Sequence, residues 1–167
     1  MGKLKQGATA PDFSAESVNM GTVNLRDYSG RDVLIIFSRY FGCPVCQLEF
    51  DELLEYKKAH PGLRVVYVNQ SIPASASAYI EGKGVDFPVI PAEKVGDGYP
   101  LYALYGAGGF GPLSAIEIFL KSRKARAVGK HHGPNEGIET QCPAQFHVDA
   151  GGKIVSAHYG LLDLTKF

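Results

Sequence analysis

Cys43 and Cys46 are the residues whose type and spacing most directly support chemistry, because two thiols separated by two residues come within bonding range across one helical turn. Thiol exchange needs a thiolate, and a thiolate forms near neutral pH only in a local positive potential. Pro44 suits the first position of a helix, which puts Cys43 at the N-cap, where free backbone N–H groups and the helix dipole favour a negative sulfur. Cys46 then lies one turn on, facing the core. The expected division of labour is an exposed, attacking Cys43 and a buried Cys46 that resolves a mixed disulfide on it. Glu49 lies close enough to Cys46 to relay a proton. The competing chemistry is metal binding: Cys43 and Cys46 have ligand spacing, and His131, His132 or Cys142 would complete a zinc or copper site. His131 and His132 read more readily as part of a solvated loop than as ligands, and Cys142 equally as an extra resolving thiol or a half-buried structural one.

The flanking segments predict how the pair is held. Asp32 to Phe37 is an unbroken apolar run with strong β-formers, the pattern of a strand covered on both faces. From Pro44 to His60, Cys46, Phe50, Leu53 and Leu54 recur at helical spacing, with Lys57, Lys58 and His60 late and Pro61-Gly62 as the stop. Leu63 to Val68 is a second strand, so residues 33–68 form a parallel strand–helix–strand unit. A small hairpin is expected in residues 8–30, a helix from Ser71 to Gly82, a strand from Asp86 to Ile90 and a helical turn at 101–105. Leu113, Ile116, Phe119 and Leu120 repeat at helical spacing, and that helix runs out in Lys121, Arg123, Lys124 and Arg126, a basic end assigned no function. Residues 130–140 read as a surface loop, and 144–148 with 154–158 as a β-hairpin. Gly106 to Gly111 matches G-x-G-x-x-G but lacks a preceding strand and a following acidic residue, so it reads as a loop.

Composition narrows the function classes. The 167 residues are 45% apolar, enough for one core, and 17 basic residues balance 17 acidic ones. With no net field, nucleic acid is not an expected partner. No h-region opens the chain and no apolar run is long enough for a bilayer, so no membrane association and a soluble, cytoplasmic protein are expected. Three cysteines are too few for a disulfide-stapled scaffold, which leaves redox or metal chemistry for the close pair.

Phe37-Ser38-Arg39-Tyr40-Phe41-Gly42-Cys43-Pro44-Val45-Cys46-Gln47-Leu48-Glu49 resembles the active-site segment of peroxiredoxin-like proteins of the alkyl hydroperoxide reductase/thiol-specific antioxidant (AhpC/TSA) family. Ala10-Pro11-Asp12-Phe13 is similar to that family's opening motif, and Cys142 to Val155 to its late cis-proline and hairpin segment. The resemblance implies an α/β thioredoxin-like fold: a central mixed sheet flanked by helices, with an N-terminal β-hairpin extension. It implies one domain over 1–167, with 91–140 as a family-variable insertion. The implied activity is that of a thiol-dependent oxidoreductase reducing protein disulfides or hydroperoxides, with no bound cofactor. The implied partners are that substrate and a thioredoxin- or glutathione-like reducing system, a homodimer being left open. Pro143, as a cis-proline, would shape the substrate groove and bring Cys142 near Cys43. The sequence also departs from the family. Aligning Cys46 with the peroxidatic cysteine leaves Arg39 and Cys43 where a proline and a threonine or serine are usual, and exchanges the two sulfur roles. Arg39 is then the one clear source of a guanidinium for an anionic leaving group, and weight shifts towards disulfide exchange. The family's closing helix has only Gly160 to Phe167 to form it, leaving open a short helix, a swapped element or a bare sheet face.

Overall fold

The computed structural model describes residues 2–167. Its centre is a five-stranded mixed sheet in the order β5-β4-β3-β6-β7. Strand β3 (Val33–Phe37) is the axis, every residue of it buried, paired in parallel with β4 (Val65–Asn69) and antiparallel with β6 (Ala144–Val148). The outer positions are held by β5 (Val89–Pro91), parallel to β4, and by β7 (Ile154–Tyr159), antiparallel to β6. Between β3 and β4 runs helix α1 (Pro44–Ala59), and α2 (Pro73–Ile80) joins β4 to β5, so both crossovers are helical as parallel strands require. A separate hairpin of β1 (Ser14–Glu16) and β2 (Thr22–Asn24) precedes the sheet. Helices α3 (Pro100–Leu104) and α4 (Pro112–Ala127) lie between β5 and β6.

Alternation along the strands divides the core in two, because successive side chains point to opposite faces. Val33, Ile35 and Phe37 join Val66, Val68, Phe146, Tyr102 and Tyr105 on one face, under the N-terminal hairpin and α3. Leu34 and Ile36 join Tyr67, Val89, Phe50, Leu53, Ala76 and Ile80 on the other, under α1 and α2. The second face is not bare. Residues 160–167 form turns rather than a closing helix, yet Leu162, Leu164 and Phe167 pack on it.

One strand boundary and one peptide bond differ from expectation. Strand β5 starts at Val89 because Asp86 pairs with Lys57 Nζ at 3.0 Å and Pro88 has no amide to give the ladder. The peptide before Pro143 is trans, as are all others among the described residues, which corrects the expected cis-proline. Cys142 donates its N–H to the Gly108 carbonyl (2.8 Å) and the Pro143 carbonyl accepts from Gly160 (2.8 Å), so the chain runs extended into β6.

Candidate active site

The turn from β3 to α1 is fixed by backbone bonds before any side chain acts. The Arg39 carbonyl accepts from the Gln70 N–H (2.8 Å), the Phe41 N–H donates to Ser71 Oγ (2.8 Å), and the Cys43 N–H donates to the Tyr40 carbonyl (3.0 Å). Cys43 is the extended N-cap of α1, with Pro44 behind it. Cys46, one turn on, shares with Cys43, Tyr40 and Val45 a buried group against which Ile118 of α4 packs.

The two sulfurs are inequivalent. Cys43 Sγ accepts a hydrogen bond from the Arg39 guanidinium at 2.9 Å. Its pKa is lowered to about 7, first by a hydrogen bond from the Cys46 thiol and then by the Arg39 charge. The free amides of Val45 and Cys46 pull in the same direction without forming a capping bond. Burial pushes the Cys46 thiol well up, and its bond to Cys43 adds to that. Burial disfavours charge on Arg39, but the neighbouring sulfurs and Glu139 more than offset it. Near neutral pH the geometry therefore favours a thiolate on Cys43 and a proton on Cys46.

Glu49 is buried one turn beyond Cys46. Burial raises its pKa to about 7 against the opposing pull of Lys121, whose Nζ stands 3.4 Å away, and its Oε1 accepts the Leu162 N–H at 2.8 Å. Glu49 also lines a cavity of about 10 Å³ with Ser38, Tyr67 and Pro143, and Ser38 Oγ and Tyr67 Oη have no hydrogen-bond partner. Lys121, read from sequence as part of a basic helix end with no function, instead ties α4 to α1 through Glu49 and Glu52 (2.9 Å).

An exposed Cys43 is not what the fold provides. Cys43 keeps 2% of its accessible surface and Cys46 1%. The cause is the segment 130–140, which lies over the site as a strap. Gly133 donates its N–H to the Gly42 carbonyl (2.8 Å), and Gln47 Nε2 donates to the His131 carbonyl (3.0 Å). Arg39 Nη1 donates to the Glu139 carbonyl (2.7 Å) and stands 3.7 Å from its carboxylate. Tyr40 gives its hydroxyl proton to the same carboxylate, with His132 Nε2 3.2 Å from the Tyr40 oxygen. A Cβ on Gly42 would collide with the Pro134 carbonyl oxygen, so the close approach depends on glycine there.

Arg39, Cys43, Cys46 and Glu49 are therefore brought together as sequence expected, with Pro143 across the small cavity. Cys142 is not part of the buried cysteine group; it is buried elsewhere and its pKa is raised by that burial. Among the described residues no group of three or more His, Cys, Asp or Glu side chains is disposed to hold a metal, so His131, His132 and Cys142 do not complete a zinc or copper set with the pair. Sequence reasoning missed Tyr40, Gln47 and Glu139. The glycine at 42 is a visible signal of close approach, but its partner lies some 90 positions along the chain.

A cysteine pair at the start of the helix that follows a central parallel strand, in a mixed sheet of this order, defines a protein of thioredoxin-like architecture. A sequence model of the AhpC/TSA family matches residues 6–157, and the chain belongs to that family. Alkyl hydroperoxide reductase E of Mycobacterium tuberculosis is 41% identical over 54 residues, covering 32% of this chain and 35% of that protein. A protein of the same organism named as a peroxiredoxin is 28% identical over 92 residues, 53% of this chain and 57% of that one. The matches thus span about a third to rather more than half the length of these curated relatives. The crystal structure of a peroxiredoxin-like protein from Aquifex aeolicus superposes with a TM-score of 0.64 at 18% identity, covering 96% of this chain and 79% of that one, a likeness of fold. No helix among the described residues is long and apolar enough to cross a membrane.

Proposed function

We propose that the protein is a thiol peroxidase that reduces a hydroperoxide through a Cys43–Cys46 disulfide. The observation that carries this reading is the Arg39 guanidinium 2.9 Å from Cys43 Sγ, with Cys46 in the same buried group. The Cys43 thiolate attacks the terminal peroxide oxygen; the O–O bond breaks, and the leaving alkoxide takes up a proton and departs as an alcohol. Arg39 stabilises first the thiolate and then the developing oxyanion. Cys43 is left as a sulfenic acid. Cys46 then attacks the Cys43 sulfur, passing its proton to Glu49, which returns it to the departing hydroxyl; the S–S bond forms and water leaves. A pKa of about 7 suits Glu49 to accept that proton and release it again. An external dithiol returns the pair to its reduced form, and Pro143 shapes the path to it.

Protein-disulfide exchange is the second reading, favoured by Arg39 and Cys43 standing where a peroxidatic site has a proline and a hydroxyl residue. The strap weighs against it, since the slim –O–OH end of a hydroperoxide needs less room than a folded protein. The test is consumption of hydrogen peroxide and cumene hydroperoxide, beside insulin reduction, by wild type, Cys43→Ser and Cys46→Ser. Wild type is expected to lose two hydrogens as the disulfide. Cys46→Ser stops at a dimedone-reactive sulfenic acid, and Cys43→Ser is inert. Peroxide reactivity retained in Cys43→Ser would assign the attack to Cys46, and insulin reduction without peroxide consumption would establish the second reading.

A further inference from the structure

Helix α4 turns one charged side chain, Lys121, inward and four large apolar side chains outward. Its inner face sets Ile118 on the cysteine group and Lys121 on Glu49 and Glu52, with Ala125 fully buried between. Its outer face holds Leu113, Ile116, Phe119 and Leu120, exposed by 79%, 57%, 62% and 57%, with Val128 just beyond the helix exposed by 58%. At 3.6 residues per turn, residues 113, 116, 119 and 120 form one continuous stripe. With about 200 Å² for a large apolar side chain, those fractions leave roughly 500 Å² of apolar surface on the helix. That is as large as the largest patch a monomer usually tolerates.

We propose that α4 is the interface of a homodimer, packed antiparallel against α4 of a second copy across a two-fold axis at Leu120. Charge selects both the occupant and the orientation. The single acidic residue of the helix, Glu117, flanks the stripe in its first half, while Arg123, Lys124 and Arg126 lie in its last turns. A parallel pairing would bring basic ends together. An antiparallel one centred on Leu120 sets each Glu117 level with the partner's Arg123 and beside the partner's Lys124, and opposes the two helix dipoles. In that register Leu120 meets its symmetry mate, Ile116 lies level with the stem of the partner's Lys124, and Leu113 lies level with the partner's Ala127 and next to its Val128. A two-fold contact repeats each interaction, so two stripes contribute about 1,000 Å² of apolar burial, and their polar rims bring the total into the range of specific interfaces.

Analytical ultracentrifugation at micromolar concentrations tests this. Wild type is expected to sediment as a dimer. Leu120→Asp sets two carboxylates on the axis and is expected to weaken association by at least about a hundredfold. It should keep the wild-type circular dichroism spectrum and unfold cooperatively, since the side chain is exposed on the single chain, with its unfolding temperature no longer rising with protein concentration, so loss of the dimer is distinguishable from loss of the fold. Glu117→Lys and Arg123→Glu should each weaken the dimer about tenfold, and the double variant should restore it, because the two positions pair only between copies. A monomeric wild type, a dimer that survives Leu120→Asp, or a double variant no tighter than the singles would overturn the proposal. Binding of a monomeric wild type to phosphatidylglycerol vesicles through Leu120 would assign the stripe to a lipid surface instead, with the same effect.

Discussion

Replacing Arg39 by Gln tests the electrostatic half of the site without touching either sulfur. The substitution removes a charged donor 2.9 Å from Cys43 Sγ in surroundings where both side chains are buried and water screens little. A hydrogen bond to a charged group contributes about 1.5–3 kcal/mol, and about 1.4 kcal/mol corresponds to a tenfold change in acidity. The Cys46 thiol and the helix amides still support the thiolate, so the smaller end of that range applies. The ionisation midpoint of Cys43 is expected to climb from about 7 to about 8. Near pH 7 the thiolate fraction then falls from about a half to about a tenth, and alkylation slows about fivefold. The assay is the pH dependence of iodoacetamide labelling in a Cys142→Ser background, with the labelled residue located by mass spectrometry. Its two parameters separate two causes: the midpoint reports ionisation, whereas the plateau reports how often the strap uncovers the sulfur. A plateau that changes while the midpoint stays at its wild-type value would refute the role given to Arg39.

Gly42→Ala should act on the plateau alone. Its Cβ must displace the Pro134 carbonyl, so labelling of Cys43 and hydrogen exchange at 133–138 should both rise with the midpoint unmoved; unchanged exchange would show that the strap is not held there. Glu49→Gln should alter the pH dependence of stability. Between the ordinary glutamate pKa of 4.5 and its folded value of about 7, the unfolded chain has lost a proton that the native state keeps, so stability falls as pH rises through this window. Glutamine removes that slope while leaving an acceptor for the Leu162 N–H. The variant should gain about 1–3 kcal/mol above pH 7 and little below pH 4.5, and urea titrations at the two extremes check it. Equal effects at both would show that Glu49 is ionised throughout.

What the sequence made legible was whatever is written in contiguous residues. The apolar run ahead of Cys43, the helical spacing of Phe50, Leu53 and Leu54 behind it, and Pro44 at the join were enough to place the pair at a helix start on a central strand. Arg39 and Glu49 could be named because they lie within four residues of a cysteine. Tyr40, Glu139 and the burial of Cys43 could not, since they depend on a loop about 90 residues away that returns over the turn. Local polarity makes such a segment read as solvated when its polar groups are in fact satisfied by the site. The stripe on α4 misleads in the opposite direction. Helical periodicity announces an apolar face, but periodicity does not say which way that face looks, and here Lys121 is drawn inward by Glu49 and Glu52.

The strap's attachments have a kinetic corollary. They are nearly all hydrogen bonds and ion pairs, with Ile138 its one partly buried apolar anchor among the core residues, so its release forfeits little hydrophobic burial and can recur often. If the protein acts as proposed, every hydroperoxide must nevertheless wait for that same event, which sets the ceiling on attack by Cys43. Chemically dissimilar hydroperoxides should therefore converge on one maximal velocity at saturation, differing only in how much of each is needed to reach it.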